Sequence, residues 1–221
     1  MRVPPGEVWG LVGRSGVGKS TLIHIVLGLF RPEKGRVTVD GETVNDPGQI
    51  RGVLFQDDTL LPWLTAEENV RFCSRSPNDD DDRALALKLL SDLGLVDVAD
   101  SHPGTLSGGM RRRVEVARAL FSDEHFFVAD EPFSALDAVT RGQVWALWRN
   151  LRRTYSRTGI ICTHDPLEAA VLSDKVIVLA KKPGDVVMPR VLDVPRDLRE
   201  GNFEDAPLML HEFRAKLMAL L

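Results

Sequence analysis

The run Gly13-Arg14-Ser15-Gly16-Val17-Gly18-Lys19-Ser20 constrains this chain more than any other stretch, because it fits G-x-x-x-x-G-K-[ST]. The apolar residues Val8 to Val12 just before it supply the strand that such a loop must leave. Glycines let successive backbone N–H groups turn inward onto a phosphate chain, Lys19 reaches the β and γ oxygens, and the Ser20 hydroxyl is a ligand for Mg²⁺. A glycine-rich turn alone can match by chance, but strand, loop and helix in the required order point to a phosphate cradle. The helix is expected to run from Lys19 through Leu29 and, being apolar nearly all round, to be buried.

A phosphate cradle does not say what a nucleotide drives. Leu106-Ser107-Gly108-Gly109-Met110 precedes a helical run, Arg111 to Leu120, whose arginines alternate with Val114, Val116, Ala117 and Leu120. A serine and two glycines at a helix start make a second anion site. Phe126-Phe127-Val128-Ala129 reads as a buried strand ending in Asp130-Glu131, followed by Pro132-Phe133 and Ser134-Ala135-Leu136-Asp137. Ile160-Ile161-Cys162-Thr163 is a further strand delivering His164-Asp165, and the strand Val53-Leu54-Phe55 ends in Gln56.

In this order the elements resemble the ATP-binding cassette (ABC) ATPases across essentially the whole chain. The closer likeness is to the ATPase subunits of importers for nitrate, sulfonates, taurine and related small solutes. It rests on Leu60-Leu61-Pro62-Trp63-Leu64-Thr65, on Met110 where most relatives carry Gln, on Asp130-Glu131-Pro132-Phe133, and on Lys182-Pro183-Gly184. The resemblance implies an α/β fold of the P-loop NTPase type, with a RecA-like, mainly parallel sheet core and a helical subdomain insert. It also implies ATP and Mg²⁺ as cofactors.

Phosphoryl transfer to water needs charge neutralisation, a positioned nucleophile and in-line geometry. The resemblance divides those tasks. Gly13, Arg14, Ser15, Gly16, Val17, Gly18, Lys19, Ser20 and Thr21 would bind the nucleotide; Ser20, Gln56 and Asp130 would serve the metal, partly through its waters. Glu131 is the implied general base, and His164 the contact that ties the γ-phosphate to Glu131, with Gln56 beside them in the catalytic set. Taken alone, an Asp-Glu pair at a strand end reads as a helix cap and a lone histidine as surface or core. His24 keeps that plain reading, whereas the shared order assigns Glu131 and His164 to chemistry.

In that family the signature, here Leu106, Ser107, Gly108, Gly109 and Met110, completes the site of a second ATPase subunit. Two ATP would then sit at an isologous dimer, with Ser134, Ala135, Leu136 and Asp137 at its seam. ATP closes the halves, hydrolysis releases them, and the movement pulls on an integral membrane permease. An extracytoplasmic solute-binding protein takes part indirectly, and the expected place is the cytoplasmic face of the cell membrane. The Leu60–Leu64 stretch, expected to be exposed with Trp63 as anchor, would sense the permease.

Composition agrees with one globular unit of 221 residues, 43% hydrophobic with a formal charge of −4, a balance that implies no nucleic-acid partner. The longest apolar run, Leu22 to Phe30, is broken by His24 and falls short of the ~18 residues that cross a bilayer. Nothing at the start reads as a signal peptide. Cys73 and Cys162 lack C-x-x-C spacing, so a reduced cytosolic setting without a zinc site is expected. The core is expected over 1–56 and 122–180, a mostly helical insert over about 57–121, and a tail over 181–221 ending in a helix from about Leu208 to Leu221. Within the insert, Arg83 to Leu93 predicts a helix with Leu85, Leu89, Leu90 and Leu93 on one side; Asn78 and Asp79–Asp82 read as its solvated cap rather than a metal site. Trp145 and Trp148, three apart on a predicted helix, are expected to pack.

Some features depart from the family. Pro4-Pro5-Gly6-Glu7 stands where relatives have the turn into this strand after earlier strands, and no position matches the aromatic residue that stacks on adenine. Either a late start assignment or a natural truncation with weakened binding is expected. Arg112 replaces the usual Gln and would place a basic group near the dimer interface. A transport motor therefore competes with a non-transport ABC ATPase and with a regulatory subunit that binds ATP weakly. Retention of Lys19, Asp130, Glu131 and His164 argues against the last.

Overall fold

The computed structural model describes residues 1–48, 52–74, 80–121, 126–134, 136–181, 187–195, 198 and 207–221. Asn78, Asp79, Ala135 and Lys182-Pro183-Gly184 lie outside them. The strands are β1 (Val8–Gly13), β2 (Thr38–Val39), β3 (Glu42–Thr43), β4 (Gly52–Leu54), β5 (Phe126–Asp130), β6 (Thr158–Cys162), β7 (Lys175–Lys181) and β8 (Val187–Asp193). The helices are α1 (Lys19–Val26), α2 (Ala66–Arg71), α3 (Asp80–Asp92), α4 (Gly108–Phe121), α5 (Ala138–Tyr155), α6 (Pro166–Leu172) and α7 (Pro207–Met218). The chain divides into two compact units, one of Met1–Gln49, Val128–Pro132 and Thr158–Leu221, the other of Ile50–Phe127 and Phe133–Arg157.

The first unit is built on β1, buried at every position. A strand rich in Val, Leu and Trp with no polar alternation suits a parallel sheet covered on both faces. It pairs parallel with β6, Trp9 opposite Ile160, and with β7, Gly10 opposite Val176. The order in this unit is β5-β6-β1-β7-β8. The edge strand β8 runs antiparallel to β7 from Lys175 opposite Asp193 to Lys181 opposite Val187, so the expected tail contributes to the sheet. Helix α6 starts where the Asp165 carboxylate accepts the Leu167 amide and Pro166 fills the first turn. It joins α7 in a cluster of Val12, Ala169, Ala170, Val176, Val178, Phe213 and Leu217.

Helix α1 is shorter than its apolar pattern predicts. It stops at Val26 because Gly28 takes φ +74°, and the amides of Leu29 and Phe30 both turn back to the His24 carbonyl. Leu29 and Phe30 are therefore exposed, while Ile23 and Val26 are buried.

In the second unit α2 carries a capping box, in which Thr65 accepts the Glu68 amide and Glu68 accepts the Thr65 amide. On α3, Ala86, Leu89 and Leu90 are buried, Asp80 to Asp82 lie in the first turn, and Gly94 beyond its end takes φ +66°. Gly52 of β4 lies so near the start of β5 that a Cβ there would meet Phe127 Cβ at 3.1 Å. Trp148 is buried edge-on to both Phe127 and Phe133, which fixes α5 against β5 within this unit.

Candidate nucleotide site

The cradle forms because β1 ends at a glycine that nothing larger can replace. A Cβ on Gly13 would meet Val17 Cγ1 at 2.7 Å and the Leu179 carbonyl oxygen at 2.9 Å. Gly16 and Gly18 then take φ +75° and +105°, conformations open to glycine, with nothing within 4 Å of an added Cβ. Among the described residues the amides of Gly16, Gly18, Lys19 and Ser20 donate to no acceptor. These are orphan donors at a helix N-terminus, the arrangement that suits an anion. The Lys19 ammonium folds inward and donates to the carbonyls of Gly13 at 2.8 Å and Arg14 at 3.4 Å. Arg14, Ser15, Ser20 and Thr21 are exposed, and Val17 is buried as the loop's packing foot.

Two neighbouring strands of the same unit present the carboxylates and the histidine. Asp130 is the last residue of β5, and Glu131 after it sits at φ +48°, a left-handed conformation that costs a non-glycine residue about 1–3 kcal/mol. Its amide donates to the Cys162 carbonyl at the end of β6, 2.8 Å away, which holds the turn. The Glu131 Oε2 lies 2.5 Å from His164 Nδ1, with the histidine two-thirds exposed and the glutamate only one-fifth. His164 is aimed by its neighbours: the Thr163 amide donates to the Leu11 carbonyl, and Thr163 Oγ1 accepts the Asp165 amide.

The remaining predicted residues belong to the second unit. Gln56 is exposed just past β4. Leu106 is buried, and Ser107 is exposed and caps α4 by accepting the Met110 amide at 3.2 Å, which leaves its hydroxyl proton free to donate. The signature glycines have different duties. A Cβ on Gly109 would stand 2.7 Å from Thr140 Cγ2 of α5, whereas one on Gly108 would meet nothing nearer than Arg111 Nη2 at 3.9 Å. Gly109 permits helix packing, and Gly108 keeps a surface bare. Ser134 is half-buried, the Leu136 amide donates to the Phe133 carbonyl, and Asp137 caps α5 by accepting the Val139 and Thr140 amides, each at 3.0 Å. The Thr140 side-chain hydrogen bond first, and then the Thr140 and Val139 amides, hold the Asp137 carboxyl below its ordinary value.

One expectation fails locally. Leu60 is buried, while Trp63 is exposed as expected. Arg112 is buried against Glu115, Nη1 to Oε2 at 2.5 Å, and lies 5.9 Å from the centre of the Phe133 ring, so within the second unit its charge is paired in the core.

The chain matches the ABC transporter family over residues 1–134. It belongs to that family. The cassette is 42% identical over 202 residues to an aliphatic sulfonates import ATP-binding protein of Burkholderia cenocepacia, which covers 90% of this chain and 74% of that one. It is 40% identical over 203 residues to a taurine import ATP-binding protein of Burkholderia pseudomallei, covering 91% and 78%. A solved dimeric ATP-binding cassette in a post-hydrolysis state with ADP and Pi superposes with a TM-score of 0.71 at 31% identity, over 88% of each chain. The fold is thus that of the P-loop ABC ATPases, and the cassette is an ATP-binding, ATP-hydrolysing enzyme.

One residue beside the cassette's chemistry was passed over in the sequence. Cys162 reads as a lone thiol, yet it is wholly buried, and its pKa is pushed up by burial first and then by the Asp130 carboxylate, which accepts its S–H. The signal was its place, the last residue of the strand that delivers His164. The donors present also suit Mg²⁺. Among the described residues no group of three or more His, Cys, Asp or Glu could hold a metal. A hard ion that keeps several waters and leans on substrate phosphates needs only a hydroxyl and one or two carboxylates.

Proposed function

We propose that this cassette is the motor subunit of an importer for a small solute such as nitrate, a sulfonate or taurine. The observation that carries the reading is the Glu131–His164 pair at the ends of two neighbouring strands, in the same unit as the phosphate cradle. Gly13 through Thr21 bind the nucleotide. Ser20, Asp130 and Gln56 serve Mg²⁺, which when bound supplies charge neutralisation to the leaving phosphate. Glu131 takes the proton of the attacking water and His164 holds that carboxylate in place. Leu106 to Met110 serve the site of a second copy of the chain, with Ser134 to Asp137 at the seam. The core, helical insert and tail divide at about residues 56, 122 and 180, as the element types along the chain suggest.

Among the described residues no helix is long and apolar enough to cross a membrane. On this reading transport runs through a permease, with the cassette bound at the cytoplasmic face and the solute chosen by the permease and a solute-binding protein. The names of the sulfonate and taurine relatives support this reading. Affinity capture of the full chain from solubilised membranes tests it. Recovery of a polytopic membrane protein identifies the permease, and capture of soluble partners alone favours a non-transport ABC ATPase.

A further inference from the structure

Beyond the catalytic set, the second unit contains a buried polar network that the chemistry above does not use. Glu115, on α4 two turns past Ser107, is 2% exposed. Its Oε1 accepts the Thr59 amide at 2.7 Å and the Thr59 hydroxyl at 2.9 Å, while Oε2 takes Arg112 Nη1 at 2.5 Å. One turn further along α4, Arg118 donates through Nη1 to the Thr59 carbonyl at 2.9 Å and through Nη2 to the Thr59 hydroxyl oxygen. One turn earlier, Arg111 Nε meets Asp58 Oδ2 at 2.5 Å and Arg111 Nη1 the Leu106 carbonyl at 2.7 Å.

The consequence is mechanical. Every polar atom of Thr59, three residues past Gln56, ends on α4, and α4 starts at the signature. Positions 111, 115 and 118 lie on one helix face, so the segment is held at three successive turns. Buried charges are justified energetically only when paired and hydrogen-bonded, and breaking one member leaves the others unpaired. Such a network has one good arrangement, which makes it rigid.

We propose that Glu115 and Thr59 are positioning residues of the ATPase cycle: they make the segment leaving Gln56 and the helix presenting Ser107 a single rigid piece. A signal arriving at Gln56 then moves the signature without slack. The inference rests on the reading that Ser107 serves the site of a second copy.

The test uses the full chain carrying Glu131→Gln, in which ATP is bound and not consumed, and measures the ATP-driven monomer–dimer equilibrium, ATP binding by the monomer, and the melting temperature. Thr59→Val keeps the shape and removes the hydroxyl; it is expected to weaken ATP-driven association roughly tenfold, the scale of one buried hydrogen bond to a charged group. Monomer ATP binding is expected to stay unchanged, and Thr59→Ser to restore association. Glu115→Gln should weaken association further, and the double variant no more than Glu115→Gln alone, because both changes open the same tie. Variants that melt lower yet associate like their parent would reduce the network to scaffolding and overturn the proposal. If the Glu131→Gln parent itself fails to associate with ATP, the two-copy reading fails and takes this inference with it.

Discussion

Glu131 and His164 stand 33 residues apart in sequence and meet through Oε2 and Nδ1 at 2.5 Å. The strained backbone at Glu131 is held by its own amide bond to Cys162, so the carboxylate is aimed by the neighbouring strand rather than by its own. Glu131→Gln keeps size and hydrogen bonding and removes the base. Hydrolysis should fall by about 10²–10⁴-fold while nucleotide binding persists. Phosphate release and equilibrium nucleotide binding on the same preparation check this; near-normal turnover would sink the assignment.

The Lys19 ammonium folds into the loop, donating to the Gly13 and Arg14 carbonyls. Replacing it by Ala leaves the phosphate charge unpaired, a loss of about 3–5 kcal/mol or roughly two to three and a half decades of affinity. Titration of Lys19→Ala with a fluorescent ATP analogue should show that weakening, and tight binding would remove the central premise.

Ser107→Arg should block ATP-driven association while the monomer still binds ATP, because the signature is proposed to act on the other copy. A mixture of Ser107→Arg and Lys19→Ala chains can assemble one site with an intact cradle facing an intact signature. Sedimentation of the mixture with ATP is expected to show a heterodimer. If wild type associates and the mixture does not, the signature does not act in trans here.

The sheet should be intolerant at Gly10. An added Cβ would meet Ser173 Oγ at 2.7 Å and Ala169 Cβ at 3.1 Å on α6. Gly10→Ala is expected to destabilise the fold by about 1–3 kcal/mol through overpacking, read as a lower denaturant midpoint. A midpoint equal to wild type would mean that α6 is free to shift.

Asp137 gives a pH dependence whose sign is set by its cap. Its carboxyl is held below the ordinary value by the Thr140 and Val139 bonds, so the ionised form stabilises the folded state. That contribution is present above the unfolded value of about 3.9 and is lost as pH falls through the lower folded value. The melting-temperature gap between wild type and Asp137→Ala should therefore be open at neutral pH and close as the solution is acidified below about pH 4. A gap that stays constant over that range would show that the cap does not depend on charge.

The phosphate cradle, the Asp130-Glu131 pair, the signature and His164 could all be read from the chain before any coordinates, because each is a short run whose chemistry depends on adjacent residues and a local turn. The start of α5 at Asp137 and the capping box of α2 are local in the same sense. Other features depended on which distant segments came to lie side by side. The tail's apolar residues did not reveal that β8 would pair with β7, since an edge strand is chosen by the backbone it finds unpaired. The end of α1 turned on the conformation of one glycine rather than on the apolar pattern running past it. Arg112 gave no sign of its partner and Cys162 looked like a spare thiol until burial set them beside Glu115 and Asp130. Thr59 and Glu115, 56 residues apart, carry no motif at all. Periodicity records which face of an element is apolar, but partners for buried polar groups are settled only when the chain closes and every donor and acceptor must be satisfied within reach.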